Sequence, residues 1–441
     1  MATPAPEQPP PGQEAKKLHF VIVGGSLGGL AAGIALTALG HDATILERNA
    51  APVLQDQGAG IVAGGDTLAF FARYDRTGRP LAVRSARRQY LDRRGAVVHA
   101  VDVAQSMTSW DLAYHLLRAN FDGLASAYCP APPAPAPPGR GRATHLHDRR
   151  VTRFEEEAGG GVRAFWRTAA GAEGSTLGDV LVGADGPSST VRALLEPAVA
   201  RTYAGYCALR GTLPEAAASA ATRAALCERF TFFHGPGVQC LAYLIPGRAG
   251  AVEPGRRLIN FVCYANFPAG SPELARVLTG RDGRRRQVTM PPGMTDPGAW
   301  EEQRAWARAA LPPPLAEVVC GAERPFVQAV TDVLSPRNEY LGGKVVLLGD
   351  ALAGFRPHTV ASTSQAAFDA MLYADYVAGR VSRDEWIRQT LGFARYIQRR
   401  GVDMGERSQH QDLPLEEYIR DRDVASTPRE QEVFPDWATA I

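Results

Sequence analysis

Lysine is almost missing from this sequence. Of the 48 Lys and Arg residues only Lys16, Lys17 and Lys344 are lysines, so Schiff-base and other lysine-dependent chemistry has almost nowhere to reside. An excess of one charge is missing too, since 48 basic residues stand against 46 acidic ones. A balanced chain lacks the electrostatic footprint of a nucleic-acid binder, which concentrates Lys and Arg on one face. The six cysteines (Cys129, Cys207, Cys227, Cys240, Cys263 and Cys320) are widely spaced, with no C-x-x-C pair. That spacing carries no zinc signature and no small disulfide framework, and it reads as buried apolar thiols in a reduced compartment. No apolar run approaches the ~18 residues that a membrane span needs. Residues 1–17 (MATPAPEQPPPGQEAKK) lack the apolar centre of a secretory signal. The expectation is a soluble, cytoplasmic protein without a metal site.

Length and apolar content are what the chain does have. Its 441 residues, 45% hydrophobic, suffice for two or three domains with cores that need no staples. The Pro-rich residues 1–17 are expected to be disordered. From Leu18 the pattern is strand (His19–Val23), glycine turn, helix (Leu27–Leu39) and strand (Ala43–Leu46), the sequence form of a parallel βαβ unit. Residues 81–103 read as two strands about a turn at Arg93–Gly95. Thr108 or Ser109 is placed to cap a helix expected from Trp110 to about Ala127. Residues 129–142, CPAPPAPAPPGRGR, can be neither helix nor central strand and read as an exposed insertion. Asp179–Val182 is a strand ending in GADG. Between Thr202 and Phe267 strand-like stretches follow one another, the mark of an antiparallel sheet inserted in an α/β frame. Lys344–Leu348 is again an apolar strand, ending in Gly349–Asp350, and helical patterns fill 361–379 and 384–405.

The segment VIVGGSLGGLAAG lies where a nucleotide loop belongs, between a strand and a helix. Aligned on G-x-G-x-x-G it places Gly24, Ser26 and Gly29 at the motif positions, with Gly25, Leu27 and Gly28 between them. The motif's middle glycine lets the backbone approach a pyrophosphate, whose charge the helix N-terminus then stabilises. Here that position carries Ser26, whose hydroxyl can itself donate to a phosphate oxygen. Glu47 ends the second strand, 18 residues after Gly29, where a carboxylate takes a ribose hydroxyl. Strand, loop, helix and terminal carboxylate together point to an adenine dinucleotide rather than to a tight packing turn.

Three segments in order resemble the class A flavoprotein monooxygenases, the aromatic hydroxylases related to p-hydroxybenzoate hydroxylase. They are the loop above with its Glu47-Arg48-Asn49 ending, GADGPSSTVR at 183–192, and GDALAGFRPH at 349–358 with Pro357 eight residues after Gly349. GGS in the loop, YAGYCALRG at 203–211 and RPH at 356–358 are most similar to the 2,6-dihydroxypyridine 3-monooxygenase branch. The resemblance spans about Leu18 to Arg380. It implies an α/β fold: a Rossmann-like FAD-binding domain with a parallel sheet (18–80, 104–200 and 325–382), and an inserted, mainly antiparallel substrate domain (81–103 and 201–324). C-terminal helices and a tail (383–441) complete the division.

The resemblance also implies cofactors and chemistry. FAD is held non-covalently, NADPH or NADH binds transiently in a shared groove, and O₂ is the co-substrate, reacting through a flavin C4a-hydroperoxide to hydroxylate a phenol- or hydroxypyridine-like ring. By resemblance Asp350 bonds the ribityl chain and Arg118 contacts the cofactor. Asp185 supports both FAD and the nicotinamide, and the helix after Pro357, beginning near Val360 and Ala361, points its N-terminus at the flavin pyrimidine. Taken singly, Asp185 reads equally as a turn residue and Asp350 as a helix cap. One departure is plain: the family's glycine-rich stretch after the proline is here His358-Thr359-Val360-Ala361-Ser362.

His358 is the first candidate for a base, because imidazole titrates near neutrality; a capping or core role is the other reading. His234 and Tyr243 on the inserted sheet are second candidates. Arg210 either binds an acidic substrate or braces two domains, with bracing preferred. Phe232, with Phe233 and Phe261, is a candidate apolar wall or ordinary core. The partner expected is a small aromatic or heterocyclic molecule, with a homodimer as the protein assembly considered and neither nucleic acid nor membrane. Epoxidation, Baeyer–Villiger oxidation and oxidative rearrangement are alternatives on the same frame, as is a non-catalytic flavin protein. A nicotinamide-only dehydrogenase would leave the GADG and GD segments without a purpose.

Overall fold

The run HFVIV is a strand whose two faces are both covered. Phe20 and Ile22 enter one buried cluster, while Val21 and Val23 enter another on the opposite side, the pattern of a parallel strand sandwiched between layers. The structure, a computed structural model, describes residues 16–54, 60–133, 138–410 and 414–425. In chain order, the elements that build the site begin with β1 (His19–Val23), α1 (Leu27–Ala38), β2 (Asp42–Leu46), β3 (Gly60–Ala63), β4 (Arg87–Leu91), β5 (Val97–Val101), α2 (Trp110–Asp122) and β6 (Ala143–Leu146). They continue with β7 (Val180–Gly183), α3 (Thr190–Leu195), β8 (Thr202–Pro214), β9 (Arg229–Gly235), β10 (Val238–Ile245) and β11 (Leu258–Asn266). The remainder are β12 (Phe326–Leu334), β13 (Val345–Leu347), α4 (Ser362–Val377), α5 (Arg383–His410) and α6 (Leu415–Ala425).

Two large sheets carry the architecture. The first runs β13-β7-β1-β2-β6, all parallel, with Glu339–Tyr340 antiparallel at the β13 edge. Helices α1, α2 and α4 share a buried cluster with one face of it. The second sheet runs from Thr289–Met290 through β12-β8-β11-β10-β9-β4-β5. It is antiparallel except where β9 meets β4. Its central strands are buried along nearly their whole length, because helices α5 and α6 contribute Met404, Tyr418 and Ile419 to its core.

Several expectations change here. Helix α2 is capped by Ser109, whose Oγ accepts from the Leu112 amide, but it ends at Asp122 rather than near Ala127 because Gly123 turns left-handed at φ 72°. The cysteines are not all free thiols. Cys240 on β10 and Cys263 on β11 are direct register partners, 4.0 Å apart at Cα, and they are disulfide-bonded. Register, which spacing along the chain does not reveal, made that pair. Cys129 is buried against α2, so the Pro-rich segment starts inside the core rather than on the surface. Its residues 134–137 lie outside the described residues, as do 1–15 of the N-terminal tail and 426–441 of the C-terminal one. No described helix is long and apolar enough to cross a membrane, and the described residues hold no cluster of metal-ligating side chains.

Candidate active site

The carboxyl ends of β1, β2, β7 and β13 converge on one cavity of about 610 Å³, the position where open α/β sheets bind ligands. The β1–α1 turn supplies Gly24, Ser26 and Leu27, and the end of β2 supplies Glu47, Arg48 and Asn49. Asp185 follows β7, and Gly349 and Asp350 follow β13. The antiparallel sheet contributes Arg210 and Gln328, while Pro357, Ser362 and Thr363 come from the approach to α4.

Gly24 and Gly29 make the close approach possible. Gly24 has φ +107°, and a Cβ there would stand 2.4 Å from the Ala184 carbonyl oxygen at the end of β7. A Cβ on Gly29 would stand 1.9 Å from the Gly24 oxygen. Gly25 donates its amide to Glu47 Oε2 at 2.8 Å, and Asn49 donates two hydrogen bonds to Oε1. Ser26 is the N-cap of α1 yet makes no side-chain capping bond, so its hydroxyl is available in the cavity.

At the GD segment, Gly349 is held from both sides by α4. Its amide donates to Asp369 Oδ2 at 2.9 Å, and its carbonyl accepts from Gln365 Nε2 at 3.1 Å. The neighbouring Asp350 is thereby set against the cavity with a buried Oδ1 that has no hydrogen-bond partner. Burial pushes its carboxyl up to about 6, against the opposing pull of Arg201 and Arg192. Asp185 is placed differently. It lines the cavity, but its carboxylate accepts from the Ser189 hydroxyl and from the Thr190 amide at 2.6 Å, capping α3. Arg201 donates to Ser188 and Thr331.

Nine of the expected site residues do not line the cavity. His358 does not line the cavity; it is buried, with Nε2 2.9 Å from the Tyr206 hydroxyl and Nδ1 3.0 Å from Gln239 Oε1. His234 bonds the other end of the same amide, Gln239 Nε2, at 2.9 Å. Phe232 stacks on Tyr90 at 5.2 Å, and Tyr243 packs edge-on to Phe230, with burial raising its phenol to about 12. Val360 adopts a left-handed turn at φ 52°, so Val360 and Ala361 face away from the lining and Ser362 and Thr363 take their place. Gly25 and Gly29 form the loop's underside. Arg118, expected to touch the cofactor, spends its guanidinium on Asp122, the Pro52 carbonyl and the Tyr114 hydroxyl. Sequence reasoning missed Arg149, Arg150, Arg201, Gln328, Ser362 and Thr363. Arg149 and Arg150 follow β6 after His147 and Asp148, so the strand-end rule that found Glu47 would have reached this segment had that strand been delimited.

Arg210 is the one sheet candidate that reaches the cavity. It makes only long hydrogen bonds, 3.4 Å to Gln328 Oε1 and 3.4 Å to the Gly60 carbonyl, and its Nε is buried without a partner. No carboxylate among the described residues pairs with it.

Comparisons with known proteins show which chains and folds this one is similar to. The chain is 27% identical over 363 residues to 2,6-dihydroxypyridine 3-monooxygenase of Paenarthrobacter nicotinovorans, covering 81% of this chain and 82% of that one. The solved structure of 2,6-dihydroxypyridine-3-hydroxylase from Arthrobacter nicotinovorans superposes with a TM-score of 0.77 at 25% identity, over 91% of this chain and 95% of that one. This is the class A flavin monooxygenase fold. The structure of Klebsiella pneumoniae HpxO complexed with FAD and uric acid shares the fold at 20% identity, with a TM-score of 0.62 over 92% and 93% of the two chains. The family described as FAD binding domain-like matches residues 203–332. This flavin monooxygenase homologue departs from the sequence expectation at Arg118, at three of the four sheet candidates and in which side chains after Pro357 meet the cavity.

Proposed function

We propose that the chain is an FAD-dependent monooxygenase that uses NAD(P)H and O₂ to hydroxylate an electron-rich aromatic or heteroaromatic ring. One observation carries this reading: a single cavity runs from the glycine loop and Glu47, past the unpartnered Asp350 Oδ1, to the uncompensated Arg210. The residues present suit FAD. The α1 N-terminus and the Ser26 hydroxyl suit its pyrophosphate, Glu47 a ribose hydroxyl, and the buried Asp350 oxygen a ribityl hydroxyl that would satisfy it. When bound, FAD supplies electron transfer from the nicotinamide and activation of O₂.

The chain's own work is binding, orientation and charge. Ser362 and Thr363 begin α4 beside Pro357, so that helix offers unpaired amides and a positive dipole end to a negatively charged ring edge. Arg210 and Gln328 hold an oxygen of the substrate ring. The guanidinium favours the ionised form of a phenol or hydroxypyridine, which makes the ring more nucleophilic. No histidine is among the cavity-lining residues, so ionisation is promoted by charge stabilisation at Arg210 rather than by an imidazole base. Ile61, Val288, Val330 and Phe355 give the same space an apolar wall. The need for NAD(P)H suits a cytoplasmic location. A homodimer, the assembly considered from the sequence, is checked by light scattering of the purified protein.

The test begins with the absorption spectrum of the purified protein and identification of the chromophore released on denaturation, expected to be FAD near one per chain. Phenols and hydroxypyridines are then screened for stimulated NAD(P)H oxidation and for a product heavier by one oxygen. A colourless protein that FAD does not reconstitute would overturn the reading. So would NAD(P)H oxidation with no oxygen transferred to any ring.

A further inference from the structure

Where the cavity meets β2 and β6, the chain is stitched back on itself. The Arg149 amide donates to the Glu47 carbonyl oxygen at 2.8 Å, and the Asp148 amide to that of Asn49 at 2.8 Å. The stitch sets Arg149 beside the residue whose carboxylate suits the adenosine ribose. Its side chain is fixed from several directions. Nη1 donates to the carbonyl oxygens of His147 at 3.2 Å and Asp148 at 3.0 Å. The guanidinium lies 4.2 Å from the centre of the Trp166 ring, and Trp166 Nε1 donates to Thr176 Oγ1 at 3.1 Å. Trp166 does not line the cavity and Arg149 does, so the indole backs the guanidinium from the protein side.

No carboxylate among the described residues pairs with Arg149, and its Nε is buried without a hydrogen-bond partner. An arginine held flat by an indole and by two carbonyls presents a planar, cationic face to the cavity. Such a face suits a purine ring, on which guanidinium planes stack well. A phosphate would take the N–H edge of the guanidinium, where Nη1 is already spent on the His147 and Asp148 carbonyls, and the α1 N-terminus on the other side of Glu47 already provides for one. Arg150, the next residue, is exposed and lacks this support.

We propose that Arg149, backed by Trp166, is the platform on which the adenine ring of the bound dinucleotide stacks. This rests on the FAD reading above. Near-stoichiometric FAD in the wild-type protein upholds that reading whatever the variants do, and its absence overturns both.

The experiment titrates FAD dissociation by flavin fluorescence in wild type, Arg149→Lys, Arg149→Ala and Trp166→Leu, with melting temperatures alongside. ADP and inorganic pyrophosphate serve as competing probes. A stacking plane predicts that Arg149→Lys, which keeps the charge, weakens FAD by about 10-fold, nearly as much as Arg149→Ala. ADP then competes less well in Arg149→Lys while pyrophosphate competes as in wild type. Trp166→Leu, which frees the guanidinium, weakens FAD by about 3-fold. An Arg149→Lys variant that binds FAD and ADP like wild type, whether or not Arg149→Ala is weakened, overturns the platform: the residue would act by charge alone or not at all.

Discussion

The Tyr206 hydroxyl and His358 Nε2 meet at 2.9 Å in a buried contact that joins the antiparallel sheet to the turn after Pro357. Gln239 donates through Nε2 to His234 and to the Tyr418 hydroxyl, so its oxygen faces His358 Nδ1, which then carries the proton. Nε2 is left to accept from Tyr206. An imidazole engaged at both nitrogens is a positioning group that docks the sheet against the C-terminal helices. His358→Ala is expected to cost about 2 kcal/mol of stability by stranding Tyr206 and Gln239. Thermal melts and turnover, measured together well below the melting point, check this. A variant that melts like wild type but has lost turnover would restore His358 to the chemistry.

Arg210 is expected to act on substrate rather than on the fold. Arg210→Ala should raise KM for an ionisable phenol or hydroxypyridine that the enzyme turns over by about 100-fold while FAD content stays at the wild-type level, because a buried charge-assisted contact is worth about 2–5 kcal/mol. Arg210→Lys should recover part of the loss. An unchanged KM with a lowered melting temperature would return Arg210 to a bracing role.

Asp350 links the cofactor site to pH. Its carboxyl is raised to about 6 in the folded chain by burial, so between about pH 4 and pH 6 the folded state binds more protons than the unfolded one. Unfolding free energy therefore falls as pH rises through that window. Asp350→Asn removes the fall. In FAD-free protein it should be about 3 kcal/mol more stable than wild type above pH 7 and nearly equal to it near pH 4, while binding FAD more weakly. Denaturant midpoints at the two pH values decide the matter, and equal gaps at both would refute it.

The cysteines give a direct count. With Cys240 bonded to Cys263, the protein unfolded without reductant should show four reactive thiols, from Cys129, Cys207, Cys227 and Cys320. Reduction beforehand should raise the count to the six in the sequence. Six thiols at the outset would mean the pair is not bonded in solution.

Gly24→Ala tests the loop. A side chain at φ +107°, aimed at the Ala184 carbonyl, should cost well over 1 kcal/mol and abolish FAD retention. Absorbance after gel filtration reads this, and a fully flavinated variant would show that the loop has slack.

Much of the frame was legible because it is local. Strand, glycine turn, helix and a strand-ending Glu47 lie within about thirty residues, and each signals its own geometry through composition and spacing. The GADG and GD segments were legible for the same reason, as strand ends followed by a turn. The substrate side was not. Which face of β8, β9 and β10 meets the cavity depends on register, so Arg210 reached it while Tyr243, Phe232 and His234 did not. The left-handed turn at Val360 moved the lining from Val360 and Ala361 to Ser362 and Thr363, a shift that nothing in a β-branched residue announces.

By itself the sequence determined the class of the protein: an α/β frame with a nucleotide loop, two further strand-end motifs in order, and an inserted sheet. Those features are written in short-range hydrophobic period and in glycines whose backbone needs are intrinsic. Only the tertiary structure decided which charges stay unpaired against the cavity, which histidine is buried in a hydrogen-bond chain, and which cysteines meet. Each depends on residues more than twenty positions apart, brought together by sheet register and helix docking, which the local pattern does not contain.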